Sequence, residues 1–381
     1  MADILISGYY GFKNAGDELI LKAMITDLRF YKPDVNITVL SATPNETSNE
    51  HNVCAVNRWN VFSIVKEIAK CKMLLSGSGG LFQDTTGILS LWYYLLIILT
   101  AKIFKKTVFI YATGIGEIRY SFNIFLIKKC FNNVDFITVR TEQDKKLLVS
   151  FGINKEITVT ADPVFGLKVR GRTGSLDPVI SIERSLSTEP SAGKPTIKTL
   201  ADFQEDRSLP KKQMVGIILR KTKNWKKDVQ VFSELSDLIV KNLKAEVVLI
   251  PFQLSKDIKL LNVIKNNTNV PVDIFVWNDT GQLLELFSKL YIIVSMRLHG
   301  LILAVKYKIP FVPIPRYSKI KNFLQMIGEP IYDSNEKIYS QILDKIDKNN
   351  SEKMFAVIDD LQNKSKKTAE LCISGLEVRE E

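Results

Sequence analysis

The stretch "IIVSMRLHGLILAVKYKIP", residues 292–310, joins an apolar strand pattern to an apolar helix pattern with almost no loop between them. Its polar residues gather at the join: Arg297, then His299, then Gly300. His299 is one of only 2 histidines in 381 residues. A strand that runs straight into a helix is the repeating unit of a parallel sheet. Helices cover both faces of such a sheet, so its strands read as continuous apolar runs and not as alternating ones.

Working outward from this unit, the same pattern recurs. "MVGIILR" (214–220), "EVVLIPF" (246–252), "VDIFVW" (272–277), "YIIVS" (291–295) and "PFVPIP" (310–315) read as strands. "DVQVFSELSDLIVKNL" (228–243) and "TGQLLELFSKL" (280–290) read as the helices between them. An equivalent series fills the first 165 residues, from "DILIS" (3–7) through "KMLLSG" (72–77) and "TVFIYATG" (107–114) to "ITVTADPVF" (157–165). The expected fold class is α/β, with two Rossmann-like doubly wound domains over 1–167 and 213–330. The stretch 168–212 holds four prolines and little periodicity, as in a linker or mobile insertion. A helical segment, 331–381, follows, with a long helix expected to pack back on the first domain.

A chain of 381 residues exceeds one ordinary core, and 46% apolar residues can fill two. Lys plus Arg (52) exceed Asp plus Glu (41) and are spread along the chain, which favours anionic partners such as phosphorylated metabolites or anionic lipid surfaces. Cys54, Cys71, Cys130 and Cys372 show no metal or disulfide spacing and read as free thiols in a reducing cytosol. "MADILISGYYG" reads as a first strand and not as a secretion signal. "ILSLWYYLLIILTAKIF" (88–104) is too short to span a bilayer and reads as a buried helix. The expected location is cytoplasmic, with peripheral, mainly electrostatic contact at the inner membrane face.

In open α/β sheets ligands bind beyond the carboxyl ends of the strands, so residues just after each strand carry the chemistry. After the first strand comes "GYYGFKNAGDELIL" (8–21), where Gly8, Gly11 and Gly16 permit close backbone approach. Asn14 lies in this loop, and Asp17 opens a helix whose free N–H groups favour anions. "GSGGLFQD" (77–84) again offers backbone donors at Gly77, Gly79 and Gly80, followed by Gln83 and Asp84. Neither is the GxGxxG dinucleotide fingerprint. Arg140, Arg220 and Arg297 close three apolar strands. Guanidinium forks there suit a small, multiply charged anion, although each could instead pair with a structural carboxylate. His299 falls at a helix start, a place that favours a neutral imidazole able to move protons. Lys319, in "PRYSKIKNF", again follows a strand.

The motifs "GYYGFKNAGDELIL", "GSGGLFQD" with "SLWYYL", "FITVRTEQD", "TADPVF", "GIILR" and above all "SMRLHGLILA" resemble those of the bacterial polysaccharide pyruvyltransferases, CsaB type. The resemblance runs from residue 3 to about 325. It implies two Rossmann-type domains arranged as in GT-B glycosyltransferases, with the active site in the cleft. It implies pyruvyl transfer from phosphoenolpyruvate to a sugar diol, releasing phosphate, in biogenesis of a cell-wall polymer of the kind that anchors surface layers. The acceptor it implies is N-acetylmannosamine in a lipid-linked precursor. Carried over by position, it puts the catalytic role on His299 with Arg140 and Lys319, and donor binding on Arg140, His299 and Lys319 together with Arg297 and Gly300. Gly11, Asn14, Asp17, Gly79, Gly80, Gln83, Asp84 and Arg220 remain acceptor or loop candidates. No metal and no cofactor beyond the co-substrate is expected.

Two other readings stay open. A nucleotide-sugar glycosyltransferase of the same architecture would set Arg220 and Lys221 on a diphosphate and use His299 as base. A non-catalytic anion- or membrane-surface-binding protein would use "RKTKNWKK" (220–227) and the 88–104 helix, and would need no imidazole beside Arg297. Nucleic-acid binding is not expected, because one short basic run more often marks a solvated surface.

Overall fold

The computed structural model describes residues 2–77, 79–84, 87–169, 213–332, 338–347 and 352–378. The chain forms two compact units, Met1–Leu167 with Ala356–Glu381, and Lys168–Phe355. Apart from Lys168 and Val169, the stretch read as a linker lies outside the described residues.

In the first unit, β1 (Ile4–Tyr10), β2 (Ile37–Ser41), β3 (Cys54–Asn57), β4 (Met73–Ser76), β6 (Thr107–Ile115), β7 (Phe136–Val139) and β8 (Thr158–Val159) form a parallel sheet in the order β3-β2-β1-β4-β6-β7-β8. A further short strand, β5 (Gly79–Phe82), pairs with β6. The glycine stretch read as a loop is therefore partly strand. Right-handed crossovers put α1 (Ala15–Tyr31) and α2 (Pro44–His51) on one face. They put α3 (Val61–Lys70), α4 (Ile88–Ile103), α5 (Ser121–Phe131) and α6 (Glu142–Ser150) on the other, where their apolar sides share one core with Leu5, Leu74 and Val108 of the strands.

The helix read as buried, α4, is buried on one side only. Leu91, Tyr94, Leu95, Ile98 and Ala101 pack inward, but Leu89, Leu96 and Ile103 are 79%, 62% and 78% exposed. Cys71, Cys130 and Cys372 are buried free thiols, and Cys54 is an exposed one.

The second sheet has the order β11-β10-β9-β12-β13, all parallel: β9 (Met214–Ile218), β10 (Glu246–Leu249), β11 (Asp273–Ile274), β12 (Ile292–Ser295) and β13 (Phe311–Pro313). Its helices include α7 (Trp225–Leu243), α8 (Leu254–Asn267), α9 (Thr280–Lys289), α10 (Leu298–Lys306) and α11 (Ser318–Met326). Among the described residues of 331–381 the structure shows two helices where one long helix is expected. α12 (Ile338–Asp347) adds Ile338 and Ile342 to the second core. α13 (Glu352–Glu377) lies on the first unit, where Ser365 donates to the Pro163 carbonyl at 3.2 Å and Cys372 touches the Met73 sulfur at 3.5 Å.

Candidate active site

Each sheet has one point where the strand order reverses. Ligands in doubly wound folds bind there, beyond the carboxyl ends of the two strands concerned. In the second unit that point lies between β9 and β12. Arg220 follows β9, and Arg297 and His299 follow β12, so the sequence reading puts its rarest side chain at the switch.

Local chemistry shapes the β12–α10 join. The Arg297 N–H donates to Ser295 Oγ at 3.0 Å, and the Ser295 hydroxyl donates to the Arg297 carbonyl at 2.9 Å. Arg297 is the N-cap of α10, with no side-chain cap bond of its own, and His299 is the second helical residue. A Cβ on Gly300 would meet Ser295 Oγ at 2.6 Å and Ile218 Cδ1 at 2.8 Å. Gly300 therefore lets the helix start press against β12 and β9.

Two carboxylates organise the cations. Asp228 and Asp257 sit in the first turns of α7 and α8, and the side chain of each is 1% exposed. A buried carboxylate is tolerated when it is paired and hydrogen-bonded. Arg297 Nη2 donates to both oxygens of Asp257 at 2.6 Å, and the Gln253 N–H adds a bond of 2.8 Å. Arg316 Nη2 donates to Asp228 at 3.0 Å, and the Thr222 hydroxyl donates to its other oxygen. The Arg220 guanidinium lies 4.4 Å from the centre of the Tyr317 ring. Burial first, then the Arg297 charge, lower the Arg220 pKa. Lys319, half-buried, is the second residue of α11, as His299 is of α10.

In the first unit the reversal lies between β1 and β4. A Cβ on Gly8 would meet the Tyr10 ring at 2.3 Å, and one on Gly77 the Tyr10 hydroxyl at 2.2 Å. These two glycines make room for a buried tyrosine where the sequence reading expected a ligand. Gly11, at φ +79°, turns the chain, and its N–H donates to Glu18 Oε1 at 2.9 Å. Asn14 caps α1, accepting from the Gly16 N–H at 3.3 Å. Gly79, at φ +113°, lies under Asp17, whose Oδ1 would be 3.0 Å from an added Cβ, and Gly80 follows it in β5. Gln83 packs over Gly116. Asp84 is 6% exposed and is spent on structure: it accepts from the Arg119 and Tyr120 N–H groups and from Asn123 Nδ2. Arg140 is also turned inward, paired with Asp162 and donating to the Gly79 carbonyl at 3.0 Å.

Burial, then the charges of Glu50 and Asp17, push the Glu18 carboxyl up to about 8. The folded protein therefore holds a proton that the unfolded chain releases near the ordinary carboxyl value of 4.5, and stability falls as pH rises from about that value to about 8. Glu18→Gln is expected to flatten this slope. Chemical denaturation at several pH values checks it, and an unchanged slope would remove the buried acid.

Five residues of this framework escape the sequence reading: Glu18, Arg58, Asp228, Asp257 and Arg316. A signal did exist for the two aspartates. Each stands four residues after a helix N-cap that follows a strand, Asn224 and Gln253, in equivalent βα units. Arg58 is 3% exposed, donates to the Gly8 carbonyl and to Tyr94 Oη, and lies 4.7 Å from the centre of the Tyr93 ring. It holds the first glycine loop from beneath.

The profile of the polysaccharide pyruvyl transferase family matches residues 14–319, and the chain belongs to that family. No curated protein matches the chain by sequence. The fold is that of several solved structures. A candidate UDP-N-acetylglucosamine 2-epimerase from Listeria monocytogenes is 12% identical, with a TM-score of 0.62 over 100% of this chain and 97% of that one. UDP-GlcNAc 2-epimerase from Neisseria meningitidis, bound to UDP-GlcNAc, is 12% identical, with a TM-score of 0.61 over 97% and 100%. HepE from Anabaena, in complex with UDP-glucose, is 11% identical, with a TM-score of 0.61 over 97% and 99%. The fold is therefore of the two-domain GT-B class, and the family is one of transferases. Among the described residues no helix is long and apolar enough to cross a membrane.

Proposed function

We propose that the chain transfers the pyruvyl group of phosphoenolpyruvate to two hydroxyls of a sugar, forming a ketal and releasing phosphate. The observation that carries this reading is the cationic cluster around His299 within the matched family region. Arg297 and Arg316 pair with two carboxylates, Asp257 and Asp228, Arg220 lies within range of the Arg297 charge, and Lys319 opens the helix after the neighbouring strand, so four cations and two acids follow the strands of one sheet. Phosphoenolpyruvate carries a phosphate and a carboxylate, and guanidinium forks with helix N-termini can hold both. An anion beside Arg220 would also offset the Arg297 charge that now acts on it.

In this scheme neutral His299 takes the proton of the first sugar hydroxyl as that oxygen adds to the central carbon of the donor, and passes it to the methylene carbon, which becomes methyl. The second hydroxyl then displaces phosphate from the same carbon and closes the ring, its proton leaving with the phosphate. The cations stabilise the charge that collects on the departing phosphate. Arg140 remains a further donor-binding candidate. The resemblance to the CsaB type makes N-acetylmannosamine in a lipid-linked cell-wall precursor the acceptor to try first. Phosphate release from phosphoenolpyruvate with and without synthetic acceptors, with mass spectrometry for the ketal, tests the reading. No release with any acceptor, but turnover of a UDP-sugar, would replace it with glycosyl transfer.

Activity is expected to survive chelation, because the described residues hold no group of three His, Cys, Asp or Glu able to bind a metal. Loss of transfer in excess EDTA, restored by one divalent ion, would overturn this.

A further inference from the structure

The geometry points to a membrane-docking face on the first unit, formed by α3, α4 and α5, that takes an anionic lipid surface. It goes beyond pyruvyl transfer and does not depend on it. The exposed residues of α4 that are large and apolar are Leu89, Trp92, Leu96, Leu99 and Ile103. Their spacing of three and four residues draws a single stripe along the helix, back to back with the buried stripe of Leu91, Tyr94, Leu95 and Ile98. Neighbouring helices extend it. Phe122 and Phe125 of α5 are 59% and 56% exposed, and the Phe122 ring lies 6.5 Å from that of Trp92. At the start of α3, Phe62 is 90% exposed beside Trp59 at 63%. A contiguous exposed apolar surface of this kind marks an interaction site.

Charge selects the occupant. Residues 88–131 carry Lys102, Lys105, Lys106, Arg119, Lys128 and Lys129 against one acid, Glu117; Lys102 pairs with Asp135 and Arg119 with Glu117, which leaves Lys105, Lys106, Lys128 and Lys129 as the excess over these acids. A second copy of the same face would bring like charges together, whereas an anionic leaflet would attract them. Tryptophan and phenylalanine beside lysine suit the depth where acyl chains meet headgroups. The stripe also begins just after Asp84, the end of the second glycine stretch, so a lipid-held molecule would meet the docked unit beside that loop.

Flotation with phosphatidylcholine vesicles, with and without phosphatidylglycerol, tests this, with circular dichroism confirming that the surface variants fold. The wild type is expected to float with the anionic vesicles. Leu96→Glu/Ile103→Glu should weaken binding by about tenfold or more, as expected for losing two buried aliphatic side chains. Lys105→Glu/Lys106→Glu/Lys129→Glu should abolish the preference for anionic over neutral vesicles. Neither reagent includes phosphoenolpyruvate or an acceptor, so this result and that for pyruvyl transfer are read separately. Equal flotation of wild type and the Leu96/Ile103 variant would overturn the proposal. So would a wild type that ignores vesicles but forms a dimer that the same substitutions dissociate, because the face would then join two copies.

Discussion

Arg140→Ala is expected to destabilise the first unit by about 3–5 kcal/mol, the cost of removing one partner from a buried ion pair. The Arg140 and Asp162 side chains are 7% and 5% exposed. Asp162 also holds the turn Pro163–Gly166, accepting from the Val164 N–H at 3.1 Å. Without the guanidinium its carboxylate stays buried with its main cation gone. Lysine would not restore the arrangement, because a point charge cannot serve Asp162 and the Gly79 carbonyl as a planar fork does. The fit is close: a Cβ on Gly114 would come within 2.4 Å of Arg140 Nη2. Urea unfolding checks the value, and Arg140→Leu/Asp162→Leu should recover much of the loss. Lys319→Ala is expected to weaken phosphoenolpyruvate binding by about 1.5–3 kcal/mol, one charge-assisted contact. If Arg140→Ala folds as stably as wild type yet loses donor affinity, the guanidinium faces the donor and not the core.

That contrast shows what a sequence can and cannot disclose. Strands such as Ile292–Ser295 and Met214–Ile218 are legible because burial on both faces leaves almost wholly apolar runs, and the residues after them are then located by topology alone. Thus Arg220, Arg297 and His299 can be placed at a sheet's carboxyl edge from their position in the chain. What a polar residue faces is decided by partners far away in sequence. Arg140 meets Asp162 at 22 residues' distance, Arg297 meets Asp257 at 40, and Arg316 meets Asp228 at 88. The half-exposed strand β3 and the polar helix α2 before it carry little apolar pattern and go unread for that reason. The α4 helix fails differently. Being apolar on both sides, it gives no periodic contrast between the stripe that packs and the stripe that faces out.

His299→Ala is expected to lower the turnover rate by about 10²- to 10⁴-fold with donor affinity changed little, as removal of a general acid/base usually does. Its position supports a role in proton transfer: half-buried, two residues after the Arg297 held by Asp257, on a helix start fixed by Ser295 and by the close approach at Gly300. The scarcity of histidine makes the experiment unusually clean. His51, the other imidazole in the chain, lies buried on α2, where burial pulls it down to about 4. It is therefore neutral across the physiological range and adds no step there to a pH–rate profile. A His299→Ala variant that turns over within a few-fold of wild type would place the proton donor elsewhere, and the buried carboxyl of Glu18, pushed up to about 8, would be the next group to test.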